Sequence, residues 1–396
     1  MKRIFYSILL MVLSYYAFGQ CNGRYETEIF NSINTSIVNY SDVYIDNEHE
    51  MDLYIPDGDT VTNRPLIIYM HAGAFYGGDK SMTDCIDFCT AFAKRGYVTT
   101  SINYRLADMI SFLFSQDEQY KAVLKAVADA KAAVRFFRKS FTNGNPYGID
   151  TNSIYVAGYS SGGVTAVHQA FIDNLTDLPA NVQVLASVIG GTLEGDAGNF
   201  GYSSKVHGVI SVAGGINDIN WIDSNDEPIV SAQGTNDNTV NYNCGPGLNN
   251  PLVLNLCGAG EIHPKANNVG ILNDVLIFNN TDHTWAAFGN SNPKFIQAIE
   301  FYSDFLFNIL PCNQSATNIK ENDIESFKIY PNPTIDKIYF DSKKPISIII
   351  YNLLGEIVMR KGGIQSGEAI SLNKFNKGTY FIKDESSNIY KKIILN

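Results

Sequence analysis

The sequence predicts an α/β protein with a doubly wound, mostly parallel sheet, followed by a small C-terminal all-β sandwich. Three observations carry this expectation. Up to about residue 310, short β-rich runs alternate with segments whose apolar residues recur at helical spacing, the pattern of strands linked by returning helices. Beyond residue 327 the runs shorten, alternate apolar and polar residues, and are punctuated by Gly, Asn and Pro. Charge changes at the same place. Residues 21–326 hold 16 Lys+Arg against 34 Asp+Glu, whereas residues 327–396 hold 11 against 6. With 396 residues, two modules are expected, and 45% apolar against 17% charged residues is a globular composition. The net charge of −11 argues against nucleic acid as a partner, because phosphate contact needs a basic face.

The N-terminus reads as an export signal. "MKR" supplies the positive start, "IFYSILLMVLSYYAF" the apolar stretch and "AFG" or "FGQ" the small-residue exit. The apolar stretch is short of a bilayer span, so no membrane span is expected in the mature chain, which starts at Gln20 or Cys21. Gln20 stands where a lipobox needs Gly or Ala, which argues against lipidation of Cys21. Export makes the six cysteines disulfide candidates rather than metal ligands. Cys85 and Cys89 are four apart in "SMTDCIDFCTAFAKRGY" and share a helix face. Cys244 and Cys257 bracket a Gly/Pro/Asn-rich loop and are expected to bridge locally, the other pairings staying open.

The elements then follow in order. "VYIDNEHEMDLYIP" (43–56) reads as an opening hairpin, and "RPLIIYM" (64–70) as a buried strand running into the loop "HAGAFYGGDKS". "YVTTSINYR" (97–105) is a further strand, and "QYKAVLKAVADAKAAVRFFRKSF" (119–141) a helix. "SIYVA" (153–157) runs into "GYSSGG", then into the helix-like "GGVTAVHQAFI". "EPIVSAQGTNDNTV" (227–240) is a strand and turn, "DVLIFNNTDHTWAAF" (274–288) the last strand with its following loop, and "PKFIQAIEFYSDFLFNIL" (293–310) the last helix. "NQSATNIKENDIES" is linker-like. The expected division is a signal at 1–20, a catalytic domain at 21–312, a linker at 313–326 and a β-sandwich domain at 327–396.

The chemistry turns on "GYSSGG". In a GxSxG turn between strand and helix, the residues two before and two after the serine must lack bulk. Ser160 has Gly158 and Gly162 there, whereas Ser161 has Tyr159 two positions before it, so Ser160 is the candidate nucleophile. The pattern is short, and the strand before and helix after supply its context. The chain from 43 to 310 resembles the α/β-hydrolase esterases. "HAGAF" after a buried strand resembles their "HGGG" oxyanion loop, with Ala72 and Ala74 replacing glycines. That resemblance implies the backbone N–H groups of Gly73, Ala74 and Ser161 as oxyanion donors, with His71 bracing the loop. It also implies an acid and then a histidine after the serine. "QGTNDNTV" resembles the family's acid turn and points to Asp237, with Asp218 and Asp223 as alternatives in an acidic loop that lacks the glycine of a calcium site. Of His168, His207, His263 and His283, the first falls in the helix after the serine, the second starts a strand and the third precedes Pro264 in a loop. His283 lies between the last strand and the last helix, where the family places its base. Asp282 is too close in sequence to orient that ring. Phe75, Tyr76 and Trp285 are candidate substrate contacts, and "MISFLFSQ" (109–116) a segment over the site. No long apolar lid is visible, and the site loops are not rich in Lys or Arg.

The tail resembles the C-terminal sorting domain of the type IX (Por) secretion system, through "IYPNPT" (329–334), "IYNLLGEIV" (350–358), "LNKFNKGTY" (372–380) and the closing "YKKIILN". That implies export through the periplasm and outer membrane by the type IX machinery, to a secreted or cell-surface location. The function so implied is a secreted serine carboxylic-ester hydrolase with a small-molecule or polymeric ester as substrate, polysaccharide acyl groups and polyesters included. Two other readings stand beside it: an oligopeptidase-like serine peptidase and a non-catalytic surface binding protein on a hydrolase scaffold. No cofactor and no metal are expected, since serine acyl transfer needs neither.

Overall fold

The computed structural model describes residues 20–313, 327–342, 344–352, 355–385 and 390–395. The expected export signal and linker lie outside these residues except at Gln20 and Asn313, as do Leu353, Leu354 and Asn396 of the tail motifs. One compact unit ends at Asn313 and a second lies beyond it.

The first unit runs β1 (Ile33–Asn39), β2 (Glu50–Pro56), β3 (Arg64–Met70), α1 (Thr83–Lys94), β4 (Val98–Ile102), α2 (Met109–Phe114), α3 (Gln116–Thr142), β5 (Ile149–Tyr159), α4 (Ser161–Phe171), α5 (Ala180–Leu185), β6 (Val209–Val212), β7 (Ile229–Gly234), β8 (Cys244–Pro246), β9 (Asn255–Cys257), α6 (Ala259–Val269), β10 (Asn273–Phe278) and α7 (Pro293–Ile309). Eight strands form one sheet in the order β1-β2-β4-β3-β5-β6-β7-β10. It is antiparallel at β1-β2 and β2-β4 and parallel from β4 to β10. This is the expected doubly wound α/β architecture.

Strand pleating explains why β3 is apolar throughout. Leu66, Ile68 and Met70 point into one core, which α3 and α4 cover, while Ile67 and Tyr69 point into the other, which α1 and α7 cover. In α3, Ser115 caps the first turn by accepting from Glu118 N, and Asp117 and Glu118 complement the helix dipole. In α7, Asn292 caps and Pro293 occupies the first turn, where its missing N–H costs nothing.

Two local expectations are corrected. The opening hairpin pairs β2 with β1 at 33–39, not with a strand near 43. The intervening stretch is a connection in which Tyr40 is buried, its hydroxyl donating to Asn103 O at 2.8 Å, and in which Asp46 caps a helical turn at Asn47–His49. The alternation of β1 is masked in the sequence because it lies at the sheet edge and is largely exposed. His263 stands inside α6 rather than in a loop, with Pro264 in the same helix. That proline forfeits one backbone bond, which the packing of Ile262 and Ala266 in the core offsets.

Of the six cysteines, Cys244–Cys257 form the expected local bridge between β8 and β9, and Cys21–Cys312 link the two ends of the unit. Cys85 and Cys89 share a face of α1, as the spacing predicts, but remain buried thiols packed against Phe88 and Phe92. Burial pushes both thiols well above their ordinary range.

The second unit is all-β. Strands β11 (Phe327–Tyr330), β12 (Lys337–Ser342) and β15 (Ala369–Ser371) form one antiparallel sheet. Strands β13 (Ile346–Tyr351), β14 (Ile357–Ile364), β16 (Gly378–Asp384) and β17 (Tyr390–Leu395) form the other. The two share one core, with Phe340, Ile350 and Ile382 at its centre, as a small sandwich requires. No described helix is long and apolar enough to cross a membrane.

Candidate active site

The carboxyl ends of the parallel strands, where open α/β sheets bind ligands, gather the candidate side chains. β5 ends at Tyr159 and α4 starts at Ser161, so Ser160 alone makes the turn, with φ of 56°. A side chain in that region stores strain, which here is held by Ser160 N donating to Val212 O at 2.9 Å and Val164 N donating to Ser160 O at 2.8 Å. The flanking glycines are sterically required. A Cβ on Gly158 would stand 2.3 Å from Gly162 C, and one on Gly162 would stand 2.0 Å from Met70 O.

Loops after two other strands bring the remaining groups. Beyond β10, Asp282 accepts from Thr284 N and starts a helical turn at His283–Ala286. That turn places His283 Nε2 2.7 Å from Ser160 Oγ. On the other side of the ring, His283 Nδ1 lies 2.7 Å from Asp237 Oδ2, in the turn after β7. The second Asp237 oxygen accepts from the N–H groups of Thr239 and Val240 at 2.9 and 3.0 Å. Ser160, His283 and Asp237 are 7%, 8% and 3% exposed, so all three are buried, Asp237 most deeply. Tyr159 stacks its ring on His283 and donates its hydroxyl to His283 O at 2.9 Å. Burial pushes the Tyr159 phenol up, so it remains a donor.

The loop after β3 lies beside the serine. Gly73, Ala74 and Phe75 take positive φ values of 132°, 53° and 65° in succession. Gly73 O accepts from Tyr76 N and Gly77 N, while the N–H groups of Gly73 and Ala74 meet no protein acceptor among the described residues. The N–H of Ser161 is one of the first-turn donors of α4, which have no intrahelical acceptor. His71 braces this loop. It stacks on Tyr104 at 4.3 Å, donates Nδ1–H to Ala72 O at 2.6 Å and accepts the Tyr104 hydroxyl at its carbonyl, 2.8 Å away. Burial lowers its pKa and keeps the ring neutral.

Residues 51–216 match the family model BD-FAE, and residues 328–396 match the Secretion system C-terminal sorting domain. Arylacetamide deacetylase-like 2 of Homo sapiens is 29% identical over 164 residues, which are 40% of this chain and only 37% of that protein. A truncated carbohydrate esterase from gut microbiota superposes with a TM-score of 0.51 at 18% identity, covering 71% of this chain and 98% of that one. A propionate-bound esterase of the Planctomycetes species Thermogutta terrifontis superposes with 0.50 at 20% identity, covering 69% and 94%. The first unit has an α/β-hydrolase fold, and its residues 51–216 match an esterase-family model. The sorting domain marks the chain for export by the type IX machinery, to the cell surface or beyond.

Beside Ser160 the first unit has a small cleft of about 40 Å³. Its walls are apolar: Phe75 and Phe112 on one side, Val164 at the base, and Leu248, Val253 and Leu256 from the segment that the Cys244–Cys257 bridge closes. Of the expected substrate contacts, only Phe75 lines this cleft. Tyr76 is half-buried and packs edge-on against Phe112. Trp285 is 2% exposed and packs on Phe278 in the core that α7 covers. It belongs to the helical turn that carries His283, whose opposite face is core. Segment 109–116 lies near the site through Phe112 alone, with Met109, Ile110 and Phe114 exposed.

The other candidates lie apart. His168 is buried in α4, its Nδ1–H donated to Val164 O at 2.8 Å. His207 Nδ1 accepts from Ile154 N, and His263 Nδ1 pairs with Asn273. Asp218 caps a helical turn and Asp223 accepts from Asn225 N.

Sequence reasoning missed Gln233. This buried residue of β7 donates to Asp237 Oδ2 at 3.3 Å and to Val240 O at 2.8 Å, and accepts from Ala259 N at 2.7 Å. A glutamine inside the apolar run "IVSAQG" was the available signal, since a buried amide must find partners.

Proposed function

We propose that the chain is an exported carboxylic-ester hydrolase that works through a Ser160–His283–Asp237 triad and an acyl-enzyme, on small-acyl extracellular esters. The observation that carries this reading is the unbroken line of 2.7 Å contacts from Ser160 Oγ through the His283 ring to Asp237, in a buried site. His283 Nε2 takes the Ser160 proton as Oγ attacks the ester carbonyl, and Asp237 holds the ring by its Nδ1–H. The free N–H groups of Gly73, Ala74 and Ser161 receive the tetrahedral oxyanion. His283 then gives its proton to the leaving alcohol, and a water activated by the same ring hydrolyses the acyl-enzyme. Ala74, which stands where the family's pattern has a glycine, takes a positive φ of 53°, so the loop holds backbone strain at this point.

The acyl group fits the apolar cleft, whose walls reject charge and whose small size favours short chains. Polysaccharide acyl groups and polyesters present such groups outside the cell, where the sorting domain sends the chain. Release of p-nitrophenol from acetate through palmitate esters by the full chain, with Ser160→Ala as control, tests the reading. Turnover that peaks at short acyl chains and vanishes in the variant supports it. A folded, disulfide-bonded protein inert on every ester removes it.

A further inference from the structure

Two walls of the cleft beside Ser160 come from separate parts of the chain. Phe112 belongs to α2, and Val253 to the segment that the Cys244–Cys257 bridge closes. Gln119, near the start of α3, does not line the cleft and is 2% exposed, yet it touches the backbone of both walls. Its Nε2 donates to Phe112 O at 2.7 Å and to Leu252 O at 3.1 Å, and its Oε1 accepts from Leu254 N at 2.9 Å.

The amide is fully used. Both of its hydrogens meet carbonyl oxygens and its oxygen meets an N–H, so only one orientation of the group satisfies all three partners. The bond to Phe112 O serves one of the carbonyls that the end of α2 leaves without a helical partner. The other two bonds grip the chain on either side of Val253, at the carbonyl before it and the N–H after it. Among the described residues, no other hydrogen bond joins the 244–257 segment to α2 or α3.

Each wall also has support of its own. Phe112 packs on Phe75 and Tyr76, with ring centroids 6.2 and 5.5 Å apart. Val253 N donates to Asn250 O at 2.9 Å, and Gly247 N to Leu254 O at 3.0 Å. These contacts shape each wall, whereas the Gln119 amide fixes one against the other. A buried, fully bonded amide adds modest net stability but holds the groups it joins in a single arrangement.

We propose that Gln119 is a positioning residue that sets acyl-chain length. By tying Phe112 to the backbone around Val253, it holds the walls at a separation that admits a short acyl chain and rejects a longer one. This role rests on the reading of Ser160 as an esterase nucleophile.

Rates of the full chain on p-nitrophenyl acetate, butyrate and hexanoate test it, for wild type, Gln119→Met, Gln119→Glu and Val253→Ala. Methionine fills the space of the glutamine without its bonds. Glutamate keeps the shape and the bond from Leu254 N but turns both donors into acceptors. In each of these two variants, kcat/KM for hexanoate relative to acetate is expected to rise about tenfold, the scale on which an apolar pocket counts methylenes, with the loss on acetate carried by KM rather than kcat. Val253→Ala widens the cleft with the amide in place and is expected to shift the ratio the same way. Hydrogen exchange of wild type reads the clasp without turnover, and the Leu254 amide is expected to be protected. A purely structural role would lower stability and leave the ratio alone. The inference is overturned if the folded Gln119 variants or Val253→Ala keep the wild-type ratio, or if the Leu254 amide of wild type exchanges freely. A wild-type chain inert on all three esters overturns the esterase reading and this role with it, whereas an active chain whose ratio does not move overturns this role alone.

Discussion

The Tyr159 ring lies over His283, centroids 5.2 Å and planes 27° apart, while its hydroxyl donates a 2.9 Å hydrogen bond to the His283 carbonyl. The residue between Gly158 and Ser160 thus holds the ring that meets Ser160 and the backbone that carries that ring. Tyr159→Phe keeps the stacking and loses one neutral hydrogen bond, worth about 1 kcal/mol, so kcat is expected to fall about fivefold. Tyr159→Leu removes both restraints and is expected to lower kcat by at least tenfold more, with KM little changed. Steady-state kinetics on a short-chain p-nitrophenyl ester separates the two variants.

Asp237 holds the Nδ1 side of His283, and the N–H groups of Thr239 and Val240 fix its carboxylate. Asp237→Asn presents a donor or a neutral acceptor to that nitrogen and favours the wrong tautomer. A loss of kcat on the order of 10³–10⁴-fold is expected, from the behaviour of such triads. Gln233→Leu removes a more distant support at 3.3 Å and is expected to cost about tenfold. The two variants measured together and singly should be strongly non-additive, because both act through one carboxylate.

Much of this arrangement was legible in the residues because it rests on local requirements. Gly158 and Gly162 mark the serine's turn, and the structure shows the collisions that any side chain there would cause. The all-apolar run of β3 announces a strand covered on both faces. What was hidden depends on contacts distant in sequence. Nothing in "HTWAAF" says that Trp285 turns into the core while His283 turns toward Ser160, because the split depends on Phe278 and α7. The cleft walls at Leu248, Val253 and Leu256 come from a loop with no periodic pattern, shaped by its disulfide. Edge strand β1 was obscured because its pattern is not anchored by burial.

Asp84 gives a pH dependence with a definite sign. It is fully buried in α1, accepts from the Tyr69 hydroxyl at 2.9 Å and leaves its other oxygen unpartnered. Burial pushes its pKa up to about 6. A carboxyl raised in the folded state binds its proton more tightly there than when unfolded. Its destabilising contribution is therefore absent below the unfolded value near 3.8, grows between that value and about 6, and is constant above. Asp84→Asn is expected to raise the thermal midpoint at neutral pH, by the equivalent of about 3 kcal/mol, with the gain vanishing near pH 4. Thermal unfolding of both proteins across that range checks the sign.

The Cys244–Cys257 bridge closes the segment that supplies one wall of the apolar cleft. Replacing both cysteines by serine removes a constraint worth about 3 kcal/mol for a loop of this length. The wall is then expected to loosen, raising KM for acetate and flattening the preference for short over long acyl chains. Rates across the p-nitrophenyl ester series, with and without the bridge, measure this directly.

The most direct test of the central claim is covalent labelling of the folded, disulfide-intact chain by a fluorophosphonate, read by intact mass and peptide mapping. Activation of Ser160 by His283 predicts one adduct per chain on the peptide containing Ser160, none in Ser160→Ala and a greatly slowed reaction in His283→Ala. No adduct on the wild-type chain, or one that persists in Ser160→Ala, would contradict the assignment of Ser160 as the nucleophile.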